Sequence, residues 1–248
     1  MTNTKKIVQQ MLHSAKEMSR RIERLPLGQC ADYVYNPLEY AYEPYRCYVE
    51  KWGGTRKRVL FLGMNPGPWG MAQVGVPFGE ITLVREWIGI EGRVDPPPRQ
   101  HPKKPVKGFS CHRSEVSGLR LWSFFAETFG TAERFFRDHF VGNYCPLLFL
   151  EESGRNRTPD KLPAQERERL FQICDKHLRD VVNVLQPSHV VGIGAFATGR
   201  AQAALEGYRQ LQVARILHPS PSSPAANRGW SAQAEKQLKE QGVWQPNT

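Results

Sequence analysis

Four short apolar runs separated by sequence of helical period constrain this chain more than any other feature. Val59-Leu60-Phe61-Leu62, Phe140-Val141-Gly142-Asn143-Tyr144, His189-Val190-Val191-Gly192-Ile193 and Val213-Ala214-Arg215-Ile216-Leu217 have the length and composition of buried strands. Helical patterns lie between and after them, near Leu119 to Thr128, Gln165 to Leu185, Ala195 to Leu205 and Ser231 to Gln241. In the second of these, Leu170, Ile173, Leu178, Val181, Val182 and Leu185 fall on one side. Strands that alternate with helices pair in parallel, and right-handed crossovers place the helices on both faces of the sheet. The expectation is an α/β fold, a three-layer α/β/α sandwich around a mainly parallel, four-stranded central sheet.

Upstream of the first strand, Ile7, Met11, Ala15, Met18, Ile22 and Leu25 recur at spacings of three and four, which predicts an amphipathic helix over about 4–25. Lys5, Lys6, Lys16, Arg20, Arg21 and Arg24 occupy much of its other side, as a solvated basic face. Between Glu91 and Arg113 the sequence EGRVDPPPRQHPKKPVKGFSCHR is rich in proline and basic residues and has little periodicity, so a long basic loop is expected over about 91–113. With no internal repeat and a length of 248 residues, a single domain over 1–248 is the expectation.

Composition narrows the class of function. Lys plus Arg number 34 against 24 Asp plus Glu, a formal net charge of +10. Such an excess favours a polyanionic partner. Mean hydropathy is −0.52, and no apolar window is long enough to cross a membrane. The charged amphipathic start lacks the apolar core of a cleavable signal, so the expectation is an intracellular protein with no membrane partner. Cys30, Cys47, Cys111, Cys145 and Cys174 are an odd set with long gaps and no C-x-x-C pair. They read as reduced thiols, and neither a structural metal nor another cofactor is expected.

In open α/β sheets a ligand sits beyond the carboxyl ends of the strands. There the first strand runs into Gly63-Met64-Asn65-Pro66-Gly67-Pro68-Trp69-Gly70-Met71, a tight loop with one amide side chain. The second strand ends at Asn143-Tyr144-Cys145-Pro146, and the fourth at His218-Pro219-Ser220-Pro221-Ser222-Ser223-Pro224. Singly, each polar residue is an ordinary turn residue, buried amide or strand terminator. Together they place Asn, Asn and His at the ligand edge of one sheet. Gly192-Ile193-Gly194 also follows a strand and opens a helix, but the spacing does not fit G-x-G-x-x-G, and close strand-to-helix packing accounts for it. A deaminase is disfavoured because H-x-E followed by P-C-x-x-C is absent.

The runs GMNPGPWGMAQVGVPFGE (63–80), NYCPLLFL (143–150), SGRNRTPDKLPA (153–164) and HPSPSSPAANRGW (218–230) resemble the single-strand-selective monofunctional branch of the uracil-DNA glycosylase superfamily, over about Tyr33 to Trp244. The resemblance implies a cofactor-free DNA-repair hydrolase acting as a monomer on single- and double-stranded DNA, in a bacterial cytoplasm or nucleoid or a eukaryotic nucleus. It implies that Asn65 positions the attacking water, standing where the best-known members have an aspartate, and that His218 donates a hydrogen bond to the departing uracil. Asn143 matches the reader of the pyrimidine edge and Phe78 the platform under the flipped base. Gly67 and Met71 match positions whose amides accommodate a 5-hydroxymethyl group through a water. Pro66, Ser220, Ser222, Ser223, Asn227 and Arg228 match DNA-contacting segments. Two departures stand out: Ser222-Ser223 replace an Arg-Asn pair in the wedge, and Trp69 replaces Phe. The competing expectation is a non-catalytic protein that recognises damaged or single-stranded DNA. It requires phosphate contacts but not Asn65 together with His218.

Overall fold

The computed structural model describes residues 2–245; residue 1 and residues 246–248 of the expected 1–248 domain lie outside them. The strands in chain order are β1 (Tyr33–Tyr35), β2 (Val59–Gly63), β3 (His139–Asn143), β4 (Leu148–Leu150), β5 (Asn156–Arg157), β6 (His189–Ile193) and β7 (Gln212–Ile216). The longer helices are α1 (Asn3–Glu23), α2 (Tyr42–Trp52), α3 (Val116–Phe129), α4 (Ala132–Asp138), α5 (Ala164–Leu185), α6 (Ala195–Ala204) and α7 (Trp230–Glu240).

The four expected strands form one parallel sheet in the order β3-β2-β6-β7. Every residue of β2 is buried, as a strand covered on both faces requires. From β2 the chain passes through α3 and α4 to β3 on one side, then returns by α5 to β6 and by α6 to β7 on the other. Right-handed crossovers therefore set α3 and α4 on one face and α5 and α6 on the opposite face. The remaining long helices complete these layers, α1 packing along α5 and α7 against α3. The reversal of strand order beside β2 opens a crevice at the carboxyl edge of the sheet.

The α1 helix ends two residues short of the expected limit. Leu25 precedes Pro26, which disfavours helical backbone at the residue before it. Its apolar stripe from Ile7 to Ile22 is buried as expected. Residues 91–107 carry no helix or strand, and a single short 3-10 turn spans Gly108–Ser110. The glycines at the end of β6 are required by packing and by the turn: a Cβ on Gly192 would lie 2.3 Å from Thr198 Oγ1, and Gly194 has φ +90°.

A second, antiparallel sheet in the order β1-β4-β5 lies outside the expected pattern. Its strands are two or three residues long, and β1 pairs with β4 across more than a hundred residues of sequence, Tyr33 opposite Leu150. Too short to show a period, they are specified by long-range pairing alone. This sheet carries the 147–158 segment to the crevice.

Two polar ties are built from uncharged histidines. His139 donates from Nδ1 to the Phe135 carbonyl (2.9 Å) and accepts at Nε2 from the Trp244 indole N–H (3.1 Å), which pins the C-terminal segment to β3. Ser14, on α1, donates to Asp180 (3.0 Å) and accepts from His177 Nδ1 (2.8 Å), both on α5. Burial lowers the pKa of His139, His177 and His218 from 6.5 to about 4. In the unfolded chain these groups bind protons below about pH 6.5, which the fold refuses until about pH 4. The unfolded state therefore gains protons within that window, and stability falls as pH drops from 6.5 to 4. Thermal unfolding midpoints measured across this range should decline steadily by several degrees; a flat profile would place these histidines in contact with water.

Candidate active site

The parallel register sets Gly63 at the end of β2 opposite Asn143 at the end of β3. Backbone pairing continues past the strands, from Tyr144 N–H to the Gly63 carbonyl (2.9 Å) and from Cys145 N–H to the Met64 carbonyl (2.9 Å). The loop carrying Asn65 is thereby held beside the segment after β3. The Asn65 Nδ2 donates to the Leu147 carbonyl (3.1 Å). That bond fixes the amide plane and leaves Oδ1 as an acceptor on a residue that lines the crevice.

Asn143 is in the opposite condition. Among the described residues its Oδ1 is buried without a partner, and its Nδ2 reaches only the Met71 sulfur at 3.2 Å. A thioether is a weak acceptor, and a buried carbonyl oxygen left unpaired costs about 1–3 kcal/mol. Both polar ends of this amide thus stand ready for a ligand. The side chain fits because Gly63 has no Cβ: one placed there would lie 2.3 Å from Asn143 Oδ1 and 2.4 Å from the Phe78 ring.

Phe78 has φ +54°, a left-handed conformation rare for an aromatic residue. Its surroundings over-determine that strain. A Cβ on Gly118 would fall 2.0 Å from the Phe78 carbonyl oxygen, and Trp122 Nε1 donates to the Pro77 carbonyl (3.3 Å). The ring lies half-buried in the crevice wall, its centroid 6.1 Å from that of the His218 imidazole.

His218 accepts at Nδ1 from the Ser220 N–H (3.1 Å). A neutral ring with Nδ1 accepting carries its proton on Nε2. Burial holds the pKa at about 4, so near neutrality His218 is an uncharged donor through Nε2–H. A Cβ on Gly194 would come within 3.1 Å of the His218 Cβ, so the end of β6 must leave room for it.

Asn65, Asn143, Phe78 and His218 line one open cleft of about 530 Å³, together with Pro66, Gly67, Met71, Ser220 and Ser222. Ser223, Asn227 and Arg228 lie outside its lining. Asn227 is tied to α3 and to its own loop, accepting from Arg120 (2.8 Å) and donating to the Pro221 carbonyl (2.9 Å). The wall also holds residues that the sequence reading did not single out, Glu115, Ser117, Asn156 and Thr158. Asn156 Oδ1 is a second buried oxygen without a partner among the described residues. Burial raises the pKa of the Glu115 carboxyl, against the pull of the Ser117 and Trp69 backbone amides and of Lys104. The N-R-T-P run within 153–164 was the available signal for Asn156 and Thr158. Glu115 had none, because a loop carboxylate has no local mark of burial.

The family model of the uracil DNA glycosylase superfamily matches residues 50–244. A Bos taurus protein, the single-strand selective monofunctional uracil DNA glycosylase, is 50% identical over 233 residues, covering 94% of this chain and 86% of that one. The Mus musculus protein of the same name is 48% identical over 241 residues, with 97% and 86% covered. In fold, the crystal structure of wild-type Pedobacter heparinus SMUG2 superposes with a TM-score of 0.64 at 15% identity, covering 85% of this chain and 87% of that one. The chain belongs to the uracil-DNA glycosylase superfamily. Within it, the sequence similarity falls to the single-strand selective monofunctional enzymes.

The close approach at Gly63 is directly testable. Gly63→Ala forces Asn143 and Phe78 apart and should lower stability by about 1–3 kcal/mol in a urea titration. Gly199→Ala, in open space within α6, should raise stability by about 0.5–1 kcal/mol. Equal effects of the two would mean that the end of β2 is not close-packed.

Proposed function

We propose that this chain hydrolyses the N-glycosidic bond of uracil in DNA and leaves an abasic site, as a base-excision-repair enzyme. The observation that carries the reading is the unpaired Asn143 amide in a cleft that also holds Asn65 and His218. Uracil offers a donor at N3 and an acceptor at O4, which satisfy Asn143 Oδ1 and Nδ2 in turn. Cytosine offers the reverse pattern, and such a mismatch costs about 1–3 kcal/mol.

Asn65 Oδ1 accepts a hydrogen bond from the water that attacks C1′, while His218 Nε2–H donates to O2 of the departing base. As the water oxygen bonds to C1′, the C1′–N1 pair leaves with uracil, and the negative charge spreads onto O2 beside the imidazole donor. The water gives up a proton to solvent and the free base takes one up. Phe78 stacks under the base. The amides of Gly67 and Met71 face C5 and admit 5-hydroxymethyluracil through a bridging water, which thymine, with its methyl, cannot replace. Among the described residues lining the cleft there is no lysine to attack C1′, in keeping with hydrolysis without strand scission.

On this reading the protein works as one intracellular domain and as a monomer, without metal or cofactor, on single- and double-stranded DNA. Among the described residues no helix is long and apolar enough to cross a membrane. Pro66, Ser220 and Ser222 meet the DNA at the cleft, while Ser223, Asn227 and Arg228 shape the loop behind it.

Incubation with a uracil-containing oligonucleotide followed by hot alkali tests the activity: strand scission marks an abasic product, and a gel shift without scission marks a non-catalytic binder. Asn65→Ala and His218→Ala should each lower the single-turnover rate by roughly 100-fold or more with DNA affinity largely intact. Parallel loss of affinity and rate would assign them a structural role.

The exposed Ser222 generates a separate expectation. Extruding a base requires a few kcal/mol of unstacking and unpairing, least in a single strand or a mismatch. A serine fills little of the vacated stack, so single strands and U·G pairs should be processed faster than U·A pairs. Ser222→Arg should raise U·A cleavage more than single-strand cleavage. Equal native rates on U·A and U·G, unchanged by the substitution, would remove the wedge argument.

A further inference from the structure

We propose that Lys104 and Arg113, gathered at Trp69 on the rim of the cleft, form a binding site for a backbone phosphate next to the extruded nucleotide. The inference rests on the proposed reading of the cleft and adds a ligand atom that the catalytic residues do not contact.

Trp69 stands in the loop between Asn65 and Met71, half-exposed. Lys104 Nζ lies 4.6 Å and Arg113 Cζ 4.7 Å from its ring centroid. An aromatic ring offers each cation about 0.5–2 kcal/mol, yet the arrangement sets two like charges at one ring. Among the described residues neither is ion-paired. The Glu115 carboxyl is the nearby countercharge, and it is turned inward: a Cβ on Gly67 would lie 2.4 Å from its Oε2. One inward carboxyl against two cations leaves the rim positive. Burial and Arg113 lower the Lys104 pKa, with Glu115 opposing, so a bound anion would relieve Lys104.

The site is also preorganised. Lys104 belongs to the proline-rich segment that has no regular structure of its own, yet buried side chains hold that segment in place. Tyr35 Oη donates to the Lys104 carbonyl (2.9 Å) and accepts from His101 N–H (2.7 Å). Gln73, wholly buried, donates to the carbonyls of Pro68 (2.8 Å) and Pro105 (3.1 Å) and accepts from Lys107 N–H (2.8 Å). One side chain thus clamps the loop bearing Lys104 to the loop bearing Asn65 and Trp69. The other flank of Lys104 meets the turn before β5, where a Cβ on Gly154 would lie 3.5 Å from Lys104 Cε. Lys104 therefore stands between the loop bearing Asn65 and the turn before β5, with Arg113 at the same Trp69 ring, beside the mouth that a strand must approach if its base is to enter. A compact ammonium beside a forked guanidinium suits a phosphodiester. Stacking of a neighbouring base on Trp69 is the less favoured occupancy, because cations already take up the ring.

Single-stranded oligonucleotides with one central uracil, each carrying a neutral methylphosphonate at one of the four flanking phosphates, test the proposal against native protein, Lys104→Met, Arg113→Met and the double variant. Methionine keeps the aliphatic stem of Lys104, and Arg113 is exposed; unfolding midpoints equal to native verify the fold. On the all-phosphate strand the double variant should raise KM 10- to 100-fold with kcat changed less than threefold. The slope of log affinity against log salt should fall by about 0.7 for each cation removed. One methylphosphonate position should weaken the native protein and not the double variant, and Lys104→Arg should restore most of the lost affinity. Equal losses on every linkage, or an unchanged KM and salt slope, would overturn the site. Failure of the underlying reading would look different, since the native protein would then leave no abasic site on any strand.

Discussion

The absence of a side chain at Gly63 is the constraint on which the cleft depends. At that point the central strand ends, Asn143 enters from the neighbouring strand and the Phe78 ring folds across, all within the volume of one missing methyl group. The parallel register brings Asn143 to this place, and a one-residue slip would send its side chain to the other face of the sheet. Phe78 is held in a left-handed conformation from behind by Gly118 on α3. The site is therefore a property of the packed sheet and its first crossover helix, and loop chemistry alone would not reproduce it.

The large elements were legible because burial imposes a period. The four central strands and the helices at 116–129, 164–185, 195–204 and 230–240 all agree with their apolar spacing to within a few residues. The β1-β4-β5 sheet was not legible, since two or three residues carry no period and its pairing is set at long range. The α2 helix buries Tyr45, Tyr48, Val49 and Trp52 on one side, but tyrosines and an early Pro44 blur the contrast between its faces. In the site, Asn65, Asn143 and His218 were marked by their place at strand ends, whereas the structure alone discloses the unpaired oxygen of Asn156 and the burial of Glu115. Local sequence encodes which residues border a loop; it does not encode which of them the distant chain will cover.

Charge is arranged by depth. The chain carries an excess of ten positive charges, yet among the described residues the cleft lining holds no Lys or Arg, its polar groups being amides, hydroxyls, an uncharged imidazole and a single carboxyl. On the proposed reading, long-range attraction to a polyanion and discrimination among neutral bases are thus separated in space. Salt weakens the first by screening and leaves short hydrogen bonds within a sheltered cleft almost untouched.

The bond from Ser220 N–H to His218 Nδ1 has a consequence for the fate of the leaving group. An imidazole locked as an Nε2–H donor, with its second nitrogen already accepting, has no spare proton to surrender. On the proposed reading the base must depart as an anion that is cradled but never neutralised in the cleft. Reactivity then tracks how well each heterocycle bears negative charge at N1. Pyrimidines with electron-withdrawing substituents at C5 gain an intrinsic advantage in bond breaking, which operates even where their fit in the cleft is no better than that of uracil.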